Sequence, residues 1–174
     1  MQVILETDRL KLRELGAGDL DFVAALVGHP EVMAFWPKTY SREEAVDWIR
    51  RQHERYARDG YGYWLAVAKD SGQAVGLVGL LRQDFDGRSE VGIGYIIHRP
   101  FWRRGYAMEA ASASRDYAFT RLARQRIVVL VRPENTRSQI VARKLGGVAE
   151  RETLFADLIH TVFVISRPSA GATL

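Results

Sequence analysis

The sequence predicts a single α+β domain, built on a mixed, mostly antiparallel central sheet with helices on both faces. Three observations carry this expectation. Short alternating or apolar runs recur at strand length between glycine-containing turns. Capped amphipathic segments of helical length interrupt them. One nearly continuous apolar run, Arg126 to Val131, reads as a central strand covered on both faces.

Leu10-Lys11-Leu12-Arg13 alternates and reads as the first strand, and Asp19 to Val27 as a short helix with Leu20, Val23 and Val27 on one face. Ser41-Arg42-Glu43-Glu44 is a capping box: the Ser41 hydroxyl can accept from the Glu44 amide while the Glu44 carboxylate reaches back. The helix it starts places Ala45, Ile49, Gln52 and Tyr56 on one face and stops at Asp59-Gly60. Tyr63 to Ala68 and Ala74 to Leu81 read as strands joined by a Lys69-Asp70-Ser71-Gly72 hairpin turn. Asp84-Phe85-Asp86-Gly87 marks the next turn and Ser89 to Ile97 the next strand. A helix runs from Ala107 to Leu122, and after the central strand another runs from Thr136 to Leu145, ended by Gly146-Gly147. Val148 to Thr153 and His160 to Ser166 close the sheet. The expected order is β-α-α-β-β-β-α-β-α-β-β. No linker or repeat divides it, so residues 1–167 read as one domain and 168–174 as a small, polar, disordered tail.

Composition excludes several classes. Cysteine is absent, which removes disulfides and cysteine nucleophiles and fits a cytoplasmic location. No apolar run is long enough to span a membrane, and the N-terminus lacks the basic-then-apolar pattern of a signal peptide. The net charge of +4 is mild and arginine-rich. Arginine suits bidentate contact with phosphate. Arg121 to Arg126 form a local basic cluster, but no aromatics are interleaved with it as a stacking platform for nucleic acid requires.

Chemistry concentrates between the Val91–Ile97 strand and the helix that follows, in Phe101-Trp102-Arg103-Arg104-Gly105-Tyr106-Ala107. A turn with a glycine and two arginines leads into a helix whose first N–H groups lack intrahelical acceptors, a place for an anionic group such as a pyrophosphate. The P-loop pattern is missing, since no lysine follows a glycine in the required way. The dinucleotide pattern fails because Gly92-Ile93-Gly94 lies inside a strand and Ile97 stands at the third glycine position.

Trp102-Arg103-Arg104-Gly105-Tyr106-Ala107 resembles the acyl-CoA loop of the GNAT superfamily of N-acetyltransferases, Gln/Arg-x-x-Gly-x-Gly/Ala. Trp102 departs from the first position in the manner of the ribosomal-protein N-terminal acetyltransferase branch, whose loops resemble Pro-x-x-Trp-x-x-Gly-Tyr-Ala. Three more segments resemble that branch in the same order: Thr7-Asp8-Arg9-Leu10, Val131 to Ser138, and Leu145-Gly146-Gly147. The resemblance implies a GNAT fold and an acetyl-CoA-dependent N-acetyltransferase with no metal. Acetyl transfer would proceed by direct attack in a ternary complex, most simply onto a protein N-terminal α-amine. A small-amine acceptor (polyamine, amino acid or aminoglycoside-like) and a non-catalytic acyl-CoA-binding module are the alternatives, and a homodimer is compatible with this branch.

Acyl transfer to an amine requires an amine that loses a proton, a polarised thioester carbonyl and a stabilised thiolate leaving group. Glu90 opens the strand that leads to the loop and shares a face with Gly92 and Gly94, so it is the candidate general base; the alternative is an ordinary strand-edge glutamate. By resemblance, Ser138 protonates or hydrogen-bonds the CoA sulfur, and Asn135 contacts the pantetheine; asparagine there equally suits a helix cap. Ile96 and Ile97 are expected to offer main-chain groups to the pantetheine as an added strand would. Arg103, Arg104, Gly105, Tyr106 and Ala107 are expected to hold the pyrophosphate. His160 reads as a surface histidine, and Phe35-Trp36-Pro37 and Tyr61 to Trp64 as packing or acceptor-side aromatics. Asp84, Asp86 and Glu90 lie close in sequence and as an acidic groove would favour a cationic acceptor, though a solvated turn explains the first two.

Overall fold

A computed structural model describes residues 2–168. The expected tail lies, beyond Pro168, outside the described residues. Eight strands form one sheet: β1 (Val3–Glu6), β2 (Leu10–Arg13), β3 (Tyr63–Ala68), β4 (Ala74–Phe85), β5 (Arg88–Ile97), β6 (Arg126–Val131), β7 (Val148–Phe155) and β8 (Leu158–Ser166). Their spatial order is β1-β2-β3-β4-β5-β6-β8-β7. Every neighbouring pair is antiparallel except β5 and β6. Four helices accompany the sheet: α1 (Leu20–Val27), α2 (Arg42–Asp59), α3 (Tyr106–Thr120) and α4 (Thr136–Lys144).

β1 is an addition to the order expected from the sequence. Four residues of mixed exposure at the sheet edge, with an irregular register between Val3 and Leu5, show no clear alternation to read. β4 runs four residues past the expected Leu81, because Arg82 to Phe85 continue to pair with Arg88 to Val91 and only Asp86 and Gly87 form the turn. Both turn residues have positive φ, 49° and 68°, as a tight hairpin requires.

The sheet separates two apolar layers. α1 and α2 bury Val23, Leu26, Ala45, Trp48 and Ile49 against Tyr63, Leu65, Leu77 and Ile96 on one face. α3 and α4 bury Ala110, Ala111, Phe119, Ala142 and Leu145 against Trp64, Val78, Ile93 and Ile127 on the other. Strand alternation produces both sets from the same strands. Among the described residues no helix is long and apolar enough to cross a membrane.

The Ser41 capping box forms as expected: Ser41 Oγ accepts from the Glu44 amide at 3.2 Å, and the Glu44 carboxylate accepts from the Ser41 amide at 2.8 Å. Gly60, at φ 78°, ends the same helix. Replacing Ser41 with Ala should lower the unfolding free energy by about 1 kcal/mol in urea titration, the usual cost of a lost N-cap. An unchanged urea midpoint would show that the cap is energetically idle.

Candidate active site

The turn before α3 is shaped by two residues of positive φ, Arg103 at 61° and Gly105 at 80°. Left-handed conformation is ordinary for glycine and uncommon for arginine. Among the described residues, none of the main-chain N–H groups from Arg103 to Ala107 has an acceptor. Five successive donors without acceptors at a helix N-terminus are an arrangement that suits an anion.

What fixes this turn is the β1–β2 hairpin. Arg9 donates from Nη1 to the Arg104 carbonyl at 2.9 Å and from Nε to Glu109 Oε2 at 2.6 Å, with its guanidinium 4.7 Å from the centre of the Tyr106 ring. Thr7 Oγ1 donates to Glu109 Oε1 at 2.5 Å, and the Arg9 amide donates to the same oxygen at 2.9 Å. The Thr7-Asp8-Arg9 segment therefore acts as a clasp on the turn. Tyr106 itself is buried, packed edge-on against Phe101.

β5 and β6 pair at one position only, Gly92 with Val128, and then part. His98 N–H donates to the Val75 carbonyl at 2.9 Å, which sets the phase of the β4–β5 ladder. Ile96 then exchanges hydrogen bonds with Leu77, while Ile93, Tyr95 and Ile97 turn their main chains toward the gap. Of the two isoleucines expected to present main-chain groups, only Ile97 does so, and Trp102 Nε1 already donates to its carbonyl at 2.7 Å. The main-chain groups of Ile96 are taken by the ladder, and those facing the gap at this end of β5 belong to Tyr95 and Ile97. A main-chain phase of this kind is invisible in a sequence, because it depends on which neighbour the strand joins.

Tyr95 also spans the gap with its side chain. Its Oη donates to the Ser138 carbonyl at 3.0 Å, and burial pushes the phenol up to about 12. Asn135 caps α4, its Oδ1 accepting from the Ser138 amide at 3.1 Å. Ser138 is thus held at both main-chain groups beside the gap.

A cavity of about 490 Å³ occupies the parting of the strands. Its walls come from both sheet faces: Tyr95, Asn135 and Ser138 on the α4 side, Trp48, Arg55 and Tyr63 on the α2 side. Gly94 permits this passage, since a Cβ there would lie 2.4 Å from Tyr63 Oη. Phe35, Trp36 and Pro37 also line the α2 side, whereas Trp64 belongs to the opposite core layer.

Asn135 and Ser138 therefore meet in one cavity, but Glu90 does not join them. It lines a separate depression with Arg58, Asp59 and Tyr61, and its carboxylate is held 3.1 Å from Arg126 Nη2. Asp84 pairs with Arg82 at 3.3 Å, and Asp86 with Arg151 at 3.1 Å. The acidic cluster read from the sequence is thus divided among partners and lies off the cavity. His160 is not a surface residue: it is half-buried and lines the cavity, with its ring edge-on to Phe155 and Nδ1 2.9 Å from the Leu158 carbonyl. Burial holds its pKa below the usual 6.5. An isolated histidine in a terminal strand carried no sequence signal for that placement. Among the described residues, no three His, Asp or Glu side chains gather as metal ligands.

A family model described as the acetyltransferase (GNAT) domain matches residues 9–148. Spermidine N(1)-acetyltransferase of Escherichia coli (strain K12) is 31% identical over 157 residues, covering 89% of this chain and 78% of that protein. Among solved structures, an acetyltransferase from Agrobacterium tumefaciens str. C58 superposes with a TM-score of 0.82 at 24% identity, over 96% of this chain and 95% of that one. RimL, a ribosomal L7/L12 α-N-protein acetyltransferase solved in complex with coenzyme A, superposes with a TM-score of 0.74 at 19% identity, over 95% and 97%.

Burial pushes the Glu109 carboxyl up, but its hydrogen bonds to Thr7 and Arg9 outweigh that and leave it below the usual 4.5. A carboxyl lowered by folding contributes stability that is complete above the unfolded value and lost as pH falls through the folded one. The stability difference between the wild type and a Glu109→Gln variant should therefore shrink between about pH 7 and about pH 3.5 in urea titrations. A difference of equal size at both values would exclude any contribution from the ionised clasp.

Proposed function

The chain belongs to the GNAT acetyltransferase family, and from that premise we propose that it transfers an acetyl group from acetyl-CoA to an α-amine, such as a protein N-terminus. The observation that carries this reading is that the cavity, the parted strands and the free amides follow one another along β5 and the turn after it. Five unsatisfied amides at the start of α3 suit a pyrophosphate, and the gap beside Tyr95 and Ile97 suits the pantetheine. The cavity beyond opens to the opposite face of the sheet, where an amine can approach. Side chains at the turn add charge: Arg104 lies over Phe101 at 5.3 Å and Arg137 over Trp102 at 5.3 Å.

The residues present support direct attack. The chain has no cysteine to carry an acyl group, and the cavity reaches both faces, so donor and acceptor can be held together. The amine nitrogen forms its bond to the thioester carbon as the carbon–sulfur bond breaks, and the thiolate departs. Holding the two reactants in attack geometry supplies much of the acceleration. Ser138, beside the gap, is the group assigned to donate a hydrogen bond to the departing sulfur, and Asn135 sets its position by capping α4.

An α-amine, with a pKa of about 8, needs less help to lose its proton than an alkylamine near 10.4. Glu90 is the proton acceptor on the first reading, through water, because its carboxylate lies outside the cavity. A second reading assigns the proton to His160. This side chain lines the cavity, and burial favours its neutral form. With Nδ1–H donated to the Leu158 carbonyl, Nε2 is left as an acceptor.

Calorimetric titration with acetyl-CoA should show one site per chain, and coupled thiol release should require an added amine. Binding without release above hydrolysis, across a broad amine panel, would make the protein a sensor rather than a transferase. Glu90→Gln and His160→Gln assign the base. The responsible variant should lose kcat by about tenfold or more with acetyl-CoA affinity retained. In the wild type, kcat/KM should fall as the base protonates; if that base is His160, the fall lies below pH 6.5. An acid limb left in place by both variants would remove both residues from the role.

A further inference from the structure

The α2 wall of the cavity carries charge of one sign. Four arginines line the cavity, Arg51, Arg55, Arg82 and Arg132, and no Asp or Glu among the described residues does. Arg82 is paired with Asp84, and Arg132 with Glu134 at 3.4 Å. Arg51 and Arg55 have no carboxylate partner among the described residues: Arg55 Nη1 donates only to Gln52 Oε1 at 3.1 Å, and Arg51 lies 5.9 Å from the Trp48 ring centre. The acids whose charge reaches them are paired elsewhere, Glu44 with Lys38 and Asp59 with Arg58.

The two guanidiniums stand one helical turn apart, a like-charge spacing that is unfavourable by itself. Burial pushes Arg55 below its ordinary value, and Arg51 adds to that shift. These arginines cannot serve the pyrophosphate, because α2 and the α3 turn lie on opposite faces of the sheet. Half-buried arginines without a salt-bridge partner at the wall of a cavity are a receptor for an anion. Where the strands part, Gln83 Oε1 is buried with no donor among the described residues, leaving a neutral oxygen for an amine N–H.

We propose that the acceptor carries a carboxylate close to its reacting amine, and that Arg51 and Arg55 grip that carboxylate while the amine reaches the gap beside Gly94. The proposal rests on the transferase reading and deepens it. It disfavours a polyamine, whose additional ammonium groups would meet arginines that no carboxylate pairs with directly among the described residues. The carboxylate has two sources, the α-carboxylate of a free amino acid or an acidic side chain in the first residues of a peptide.

Thiol release measured with acetyl-CoA separates these cases. One arm uses free amino acids. A second uses tripeptide amides with Asp or Glu at the first three positions. A third uses uncharged tripeptide amides, and a fourth uses spermidine. The expected result is a kcat/KM for carboxylate-bearing acceptors at least about tenfold above the uncharged and polyamine arms, the scale of a charge-assisted pair. Of the two carboxylate arms, the faster identifies the source. The Arg51→Gln/Arg55→Gln variant should bring the ratio of acidic to uncharged acceptors close to one. Should loss of Arg55 disturb Gln52 and the fold, Arg51→Glu alone should still lower that ratio. Faster turnover of spermidine or the uncharged peptides than of the acidic ones, or a ratio untouched by these variants, overturns the proposal and leaves the transferase reading intact. Acetyl-CoA binding with no turnover in any arm overturns both.

Discussion

One missing set of hydrogen bonds organises this protein. β5 and β6 run side by side, pair once at Gly92 and Val128, and then part, leaving main-chain donors and acceptors of β5 without strand partners inside a sheet that is otherwise continuous. Buried main-chain groups rarely remain unpaired. The parting is tolerable only because it opens into a cavity where water or a ligand can satisfy them. The same parting joins the two faces of the sheet.

Holding such a gap open requires struts, and the structure supplies them from both sides. Trp102 closes back on the Ile97 carbonyl, which anchors the turn to the strand it leaves. Tyr95 reaches across to Ser138, and Asn135 fixes the start of α4 at the same place. These bonds come from elements far apart in the chain yet converge on the site where the strands separate. Polar networks of this kind order a site when each member is satisfied.

Much of the architecture was legible in the sequence. β2, β3 and β6 match their expected bounds because alternation or continuous apolarity marks them cleanly, and α2 is marked by a capping box at one end and a left-handed glycine at the other. The free amides of the turn before α3 were legible because a strand–glycine–helix order implies them. Less was legible about the chemistry. Glu90 was legible as a strand residue sharing a face with Gly92 and Gly94, but not the Arg126 that stands beside its carboxylate. Tyr95 drew no reading of its own, because its bond to Ser138 depends on where α4 packs. His160 and the Arg51–Arg55 pair acquire meaning only from what stands opposite them. Local periodicity encodes which face a residue occupies; it does not encode what the other wall holds.

The clasp at Arg9 has a further implication. A hairpin at the margin of the sheet, resting on only four residues of β1, sets the shape of the anion site about a hundred positions away in the chain. Linkage is reciprocal: whatever fills the turn must steady the hairpin by the same free energy that the hairpin lends to the turn. The margin of the sheet is thereby tied to occupancy, and fraying of the first strand becomes a gauge of how full the distant site is.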